Sequence, residues 1–511
     1  MLSQNLAELC AAEFIYEQPV AGDTEFVFKH ALTQEVAYSS LLIERRKALH
    51  ERVGEAIEEL AANSLDDHLA DLANHYGRSS NNMKAVDYLT RAGNQIAQRS
   101  ASPEAMRHFE RALDILKEMP ADPTRDSREL QLQLAIGYSA YAHQGEYSAD
   151  AGKALARVVE LAVGLGDTPQ RIHALVLLGW HYVARAELRR ASEVARDLYE
   201  CAREMRNPEA EFSANVLMGH VATFTGEFRE AEQFMRAAAA SDSVSAGLRS
   251  YALVRRAHAL WFLGFPHQAL ALAREGSRFD ENAGDRYIYP TVLQWAGFTH
   301  MFCGELAQAE DLLGKSLNIC TERGFPAIRA LNMIFMGLVS VLRGQRQAGI
   351  EQLRRGIELI SESSGLYGQV SGGFLALGLA SAGRLDEALA ALIPALEWAV
   401  QAGVGYQLAR MNHVKGQLLE SKFHFEEAEN SFRTAIGIAG RQSAKSLELL
   451  ASTSLARLLA KQGKRDEART MLAEIYDWFT EGFDTADLKD AKALLDELTT
   501  PTRSQPPESQ S

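Results

Sequence analysis

The amino-acid sequence predicts an all-α chain, a superhelical solenoid of stacked helical hairpins, with one short strand near its start. Three observations predict it. A turn returns at a near-constant interval: "GEFREA" at Gly226, "GFPHQA" at Gly264, "GELAQA" at Gly304, "GQRQAG" at Gly344, "GRLDEA" at Gly383 and "GKRDEA" at Gly463. "AELRRA" at Ala186 and "FHFEEA" at Phe423 fit the same frame, and the steps from 186 to 463 are 40, 38, 40, 40, 39, 40 and 40 residues. A fixed period of this size marks a repeat array. Small residues keep fixed places around the turn, as in Gly219, Gly297, Gly337 and Gly416 before it and Ala231, Ala309 and Ala428 after it. Between turns, apolar residues recur at i, i+3, i+4 and i+7, the period of a helix. The small positions let two helices approach closely. The bulky ones that follow, such as Met235, Leu313, Leu353 and Phe432, fill the gaps beside them. One hairpin cannot bury its apolar face alone, and stacked neighbours can.

The elements follow in order. Residues 1–60 contain "EFVF", the one convincing strand signal, after which His30 opens a helical pattern through Leu32, Val36, Leu41, Leu42, Leu49, Val53 and Ile57. Residues 61–125 read as irregular helical hairpins, in which "AVDYLTRAGNQIAQR" precedes a second helix over 100–119. "PADPTRDS" (120–127) reads as a loop, because two prolines and two aspartates punctuate it. Residues 126–485 hold the repeats, and "QGEYSADAGKALARVVELA" supplies a helix one step ahead of Ala186. A C-terminal helix takes 486–498, and the polar, proline-rich 499–511 reads as a disordered tail.

At 511 residues the chain is too long for one core, in keeping with a repeat array. Its net charge of -14 argues against a nucleic-acid partner, which asks for a basic face. No apolar run is long enough to span a membrane. The start carries no cationic segment of a secretory signal. Cys10, Cys201, Cys303 and Cys320 form no CxxC pair, which fits free thiols in a reducing cytoplasm.

The hairpin pattern resembles the tetratricopeptide repeat (TPR): a small residue, a turn, then alanine in the second helix. It departs from that family's shorter unit in length, and the usual aromatic and closing-proline positions are mostly unfilled. Near the start, Phe28, His30, Leu32, Glu35, Ala37, Tyr38, Leu41, Leu42, Arg46 and His50 resemble the "F-x-H-x-L-x-x-E-x-A-Y-x-x-L-L" end of a winged-helix domain. That domain closes the ATPase module of STAND-type signalling ATPases. The match is closest to the C-terminal region of bacterial proteins that join a class III adenylate or guanylate cyclase, a STAND ATPase and TPR-like repeats. The resemblance implies that residues 1–60 are the end of such a winged helix, and that His30 contacts the phosphates of bound ADP with the rest of the site on another chain or segment. Ala31 stands where the family often has an aspartate. The other reading of His30 is a histidine capping or packing at a strand–helix junction.

Catalytic chemistry is not legible. "LLGKSL" ends like a P-loop at Gly314-Lys315-Ser316, but Ala309 replaces the required glycine and the triplet lies on a helix. "GVGYQLA" at Gly403 lacks the third glycine of a dinucleotide fingerprint and reads as a link between repeats. No HExxH, zinc-spaced Cys/His set or GxSxG occurs, so no metal, cofactor or enzyme activity is implied. A binding surface is the remaining candidate. Trp180, His220, Thr223, His258, Trp261, Phe298 and Met301 take the first-helix positions that face the groove in TPR geometry. Such residues suit recognition of a peptide or protein, or they fill a wide gap between helices. The preferred function is a non-catalytic scaffold or sensor controlling an ATPase or cyclase module. That module lies in another chain, or upstream if the gene starts late. A stand-alone adaptor or peptide receptor is the alternative, and an enzyme on a helical scaffold is the third.

Overall fold

The computed structural model describes residues 2–20, 23–99, 103–144, 148–278, 287–361 and 365–500. Two compact units divide the chain, residues 1–143 and 144–511.

The first unit opens with α1 (Leu2–Ala11), β1 (Ile15–Val20) and β2 (Asp23–Phe28). The strands pair antiparallel, with Ile15 opposite Phe28 and Glu17 opposite Phe26. The first strand was not anticipated: "IYEQPV" carries a proline and two polar residues, which mute the strand signal. The helix expected from His30 onward is two helices, α2 (Ala31–Ser40) and α3 (Ile43–Leu60), because Leu41 and Leu42 are both extended at ψ 139° and 144°. α4 (Leu69–Tyr76), α5 (Asn82–Arg99), α6 (Pro103–Glu118) and α7 (Pro123–Gln144) follow. The expected loop at 120–127 is shorter than read. Asp122 accepts a hydrogen bond from the Arg125 amide, and Pro123 is the first residue of α7, where its missing N–H costs nothing.

The second unit begins with α8 (Ala149–Leu165). Four hairpins come next: α9 (Thr168–Ala184) with α10 (Leu188–Glu204), α11 (Pro208–Thr225) with α12 (Phe228–Ala239), α13 (Ala246–Leu263) with α14 (Pro266–Gly276), and α15 (Ile288–Phe302) with α16 (Leu306–Arg323). The fifth pairs α17 (Pro326–Leu342) with α18 (Arg346–Ser361). The sixth has a first helix broken into α19 (Gly365–Val370) and α20 (Gly372–Ser381), paired with α21 (Leu385–Gln401). The break falls in the glycine-rich "GLYGQVSGG", which resists continuous helix. α22 (Leu408–Ser421) with α23 (Phe425–Arg441), α24 (Lys445–Lys461) with α25 (Arg465–Tyr476), and the closing α26 (Ala486–Thr499) complete it.

Every turn residue named from the sequence has positive φ: Ala186 60°, Gly226 88°, Gly264 93°, Gly304 83°, Gly344 87°, Gly383 74°, Phe423 64° and Gly463 82°. The left-handed residue ends one helix and releases the next, so glycine is favoured there. The small–large pairing is also physical. A Cβ on Gly297 would lie 2.8 Å from Leu313, and one on Gly416 would lie 2.5 Å from Phe432. At Gly337 the obstacle is backbone, the Gly349 carbonyl at 2.8 Å.

The second unit curves until its late hairpins meet its early ones. The Tyr406 amide donates to the Phe224 carbonyl (3.1 Å), and the Ser446 hydroxyl donates to the Trp261 carbonyl (2.6 Å). Glu481 accepts from the amides of His267 (2.9 Å) and Gln268 (3.1 Å) at the start of α14. Gly405 sits where any side chain would strike the Thr225 carbonyl. "GVGY" is therefore a link between hairpins, as read, and the segment that closes the curve as well.

Candidate functional site

The groove positions on α9, α11, α13 and α15 converge, but under cover. His220, Thr223, His258, Trp261, Phe298 and Met301 are all buried, and Trp180 alone of the seven is partly exposed. The expected open stripe is corrected in this respect: the late hairpins fill the inner surface these residues face. Phe224 meets Tyr367 and Tyr406 at ring distances of 5.5 and 5.6 Å. Phe298 packs against His258 at 4.8 Å and Phe335 at 4.3 Å. Trp261 stacks on Phe302 at 4.5 Å.

Polar groups thread this aromatic interior. His220 Nδ1 donates to the Val216 carbonyl (2.9 Å), so its Nε2 accepts from the Tyr251 hydroxyl (2.8 Å), and the ring is neutral. Thr223 donates to the Gly219 carbonyl one turn back. The Tyr406 hydroxyl lies 3.2 Å from His258 Nε2. Burial, with Arg255 beside them, holds both His220 and His258 well below the ordinary histidine range. Burial next to Arg410 pushes His413 down to about 3. Arg255 lies over the Trp295 ring at 3.9 Å, and Arg410 over the rings of Phe302 and Trp261 at 4.5 and 5.4 Å.

Sequence reasoning missed Arg255, Tyr406, Gln407 and Arg410. The first stands among ordinary helix-surface charges, "RRAH", and the others lie beyond the repeats inspected for a groove. Only the proximity created by curvature reveals them.

In the first unit, His30 is exposed at the N-cap of α2. Its carbonyl accepts from the amides of Thr33 and Gln34, while its side chain makes no capping bond. Three other residues of the winged-helix resemblance do cluster. The Tyr38 hydroxyl lies 3.0 Å from His50 Nε2, and Arg46 sits 5.1 Å over the Tyr38 ring. Around them the apolar side chains of α2 and α3 are open to solvent: Leu32 is 70% exposed, Val36 62% and Leu42 80%. The serine of the Gly-Lys-Ser triplet is structural. Ser316 is buried in α16, donates to the Pro290 carbonyl and accepts from Asn332. Among the described residues, no group of three or more His, Cys, Asp or Glu side chains is placed to hold a metal, and no helix is long and apolar enough to cross a membrane.

The hairpins, their left-handed turns and their small–large packing define a TPR-like helical solenoid. The tetratricopeptide repeat family itself matches residues 409–441, which is the hairpin of α22 and α23. A protein of Rhizobium meliloti is 21% identical over 472 residues, covering 88% of this chain and 45% of the relative. The chain thus spans under half the length of that curated relative. A Rap protein solved with competence and sporulation factor shares the fold at a TM-score of 0.50 and 12% identity, covering 70% of this chain and 98% of that one. A STAND protein with a tetratricopeptide repeat sensor from Pyrococcus horikoshii aligns over 91% of this chain and 66% of its own, at 15% identity and a TM-score of 0.36.

Proposed function

We propose that the chain is a non-catalytic scaffold or sensor that binds a protein or peptide and controls an ATPase or nucleotidyl cyclase module. The observation that carries this reading is the apolar surface of α2 and α3. Leu32, Val36, Leu42 and Ile43, all within residues 32–43, are each more than 60% exposed. Exposed apolar patches of this kind mark interaction surfaces. These residues belong to the segment that resembles the end of a STAND winged helix, so the proposed cover is the ATPase module to which such a segment belongs. His30, at the edge of that surface, is the residue proposed to meet nucleotide phosphate once the module is in place. The repeats supply the sensing half. That a Rap protein of similar fold was solved with competence and sporulation factor fits this part of the reading.

The test expresses the region encoded upstream of Met1 as a separate polypeptide. ATP turnover is then measured with and without the present chain. A complex whose turnover differs from that of the isolated module supports the proposal. A module that neither binds nor responds, or an upstream region without a P-loop, sinks it.

A further inference from the structure

We propose that the closed interior of the second unit holds a binding site for a small oxyanion-bearing ligand, a carboxylate or a phosphate, gripped by Arg255 and Arg410 on either side of His258 and Tyr406. The inference goes beyond the scaffold reading and stands without it.

Arg255 is 2% exposed, and neither its Nε nor one of its terminal nitrogens finds a hydrogen-bond partner. Arg410 likewise leaves Nε and one terminal nitrogen sealed from solvent and unpartnered. His258 Nδ1 is in the same condition. Buried charge is costly unless paired, and proteins rarely leave one arginine so, let alone two. The aromatic faces under both guanidiniums hold them in place and give some cation–π stabilisation. They leave the N–H edges free. An edge-on guanidinium fork is suited to a carboxylate or phosphate.

The two arginines address one place. Arg255 lies one turn before His258 on α13, Arg410 lies four residues after Tyr406 at the start of α22, and His258 and Tyr406 are bridged at 3.2 Å. The charged groups beside His258 are Arg255 and Arg410, both cationic, while His220 is neutral. A positive interior inside a chain of net charge -14 is a local arrangement that ordinary solvation of the surface does not explain. One carboxylate reaches toward it: Asp487 acts on Arg410 from α26 but forms no ion pair with it among the described residues. Asp487 also lines a small cavity with Trp261, Phe302 and Ser446. The ligand groups come from α13, on the third hairpin, and from α22 with its preceding link, on the seventh. Binding therefore bridges the two and favours closure.

The test is thermal denaturation of the full chain in inorganic phosphate and in succinate, each against chloride at matched ionic strength. The expected result is a saturable rise in melting temperature with one of the two, and which one rises identifies the oxyanion. Arg255→Met and Arg410→Met are each expected to weaken that response at least about tenfold, since a charge-assisted pair is lost. Without added anion these variants should melt no lower than the native chain, because each removes an uncompensated buried charge. A role confined to packing predicts the reverse, a lower melting point and no anion response to lose. If Arg255→Met fails to fold, Arg255→Lys keeps the charge without the fork, and retention of the full response there overturns the proposal. So does a native chain that shows no saturable rise with either anion.

Discussion

Trp261 shows how a residue's role turns on its surroundings. Its place on α13 is the one that faces a groove in an open solenoid, yet here it is 4% exposed, with Phe302 on one face and its carbonyl taken by Ser446. Trp261→Ala is therefore expected to cost about 3–5 kcal/mol of folding stability, measured by urea denaturation, in place of the mild effect an exposed anchor would have. A loss below 1 kcal/mol, on the order of a surface substitution, would return it to the groove. Phe423 is the converse case. It holds φ 64° while 78% exposed, so it bears left-handed strain without burying its ring. Phe423→Gly is expected to raise stability by about 1 kcal/mol, because the left-handed region costs a side-chain-bearing residue roughly 1–2 kcal/mol. The histidines set a pH response. His220, His258 and His413 are neutral in the fold and sit below the ordinary value of 6.5, His413 at about 3. Above pH 6.5 both folded and unfolded chains are deprotonated there, and the stability is complete. As pH falls below 6.5 the unfolded chain takes up protons the folded chain refuses, so stability drops by up to about 1.4 kcal/mol per histidine per pH unit. Melting temperature should therefore fall between pH 7 and pH 5, and less steeply in His413→Gln; an equal slope in that variant would clear His413 of any part in it.

At the scale of the element, the hairpin was the most legible object in the sequence. Turn, close-contact residue and facing bulk lie within about twenty residues of one another, and each has one dominant cause: left-handed φ, helix proximity or gap filling. Gly219 against Met235 and Gly297 against Leu313 follow the spacing read from the repeat. What failed at this scale failed where local signals conflict. "IYEQPV" pairs as a strand despite its proline, and "HALTQEVAYSSLLIERRKAL" breaks after Ser40 although its apolar period continues. Gly297→Leu forces α15 and α16 apart and should cost about 1–3 kcal/mol by overpacking. Ser316→Leu should cost more, because it also strands the Asn332 amide that Ser316 now accepts from in the buried interior. Matched urea curves with unchanged slope check both, and a neutral Gly297→Leu would contradict the close contact.

At the scale of the whole molecule, the interior site was illegible for a reason that applies to any solenoid. Periodicity specifies each hairpin's neighbours, while curvature is a small rotation per repeat that accumulates. Tyr406 meets His258 and Ser446 meets Trp261 across 148 and 185 residues, and nothing in either local segment announces the other. The winged-helix resemblance was legible at the start of the first unit only as a string of matched residues, of which Tyr38, Arg46 and His50 do cluster. The purified chain alone is expected neither to hydrolyse ATP nor to make cyclic nucleotide, since Ser316, the last residue of its P-loop-like triplet, is occupied by Pro290 and Asn332; activity surviving repurification would refute that.

The curve of the second unit makes a sharper demand. Its closing contacts are of two kinds: buried aromatic packing around Phe224 and His258, and polar bonds nearer the surface, where the exposed Glu481 carboxylate accepts from the first amides of α14. The hairpins themselves are held by buried apolar faces. The exposed contact at the start of α14 should therefore open at lower free energy than the hairpins unfold, as local openings generally do. Glu481→Ala removes a carboxylate from a helix N-terminus, a loss of about 1 kcal/mol. Amide exchange at His267 and Gln268 should then quicken about fivefold, the factor that free energy implies. Exchange within α13 and α15 should stay as it is. Uniform quickening across the hairpins would mean that closure and folding are one event, and no quickening at α14 would mean that Glu481 holds nothing in place.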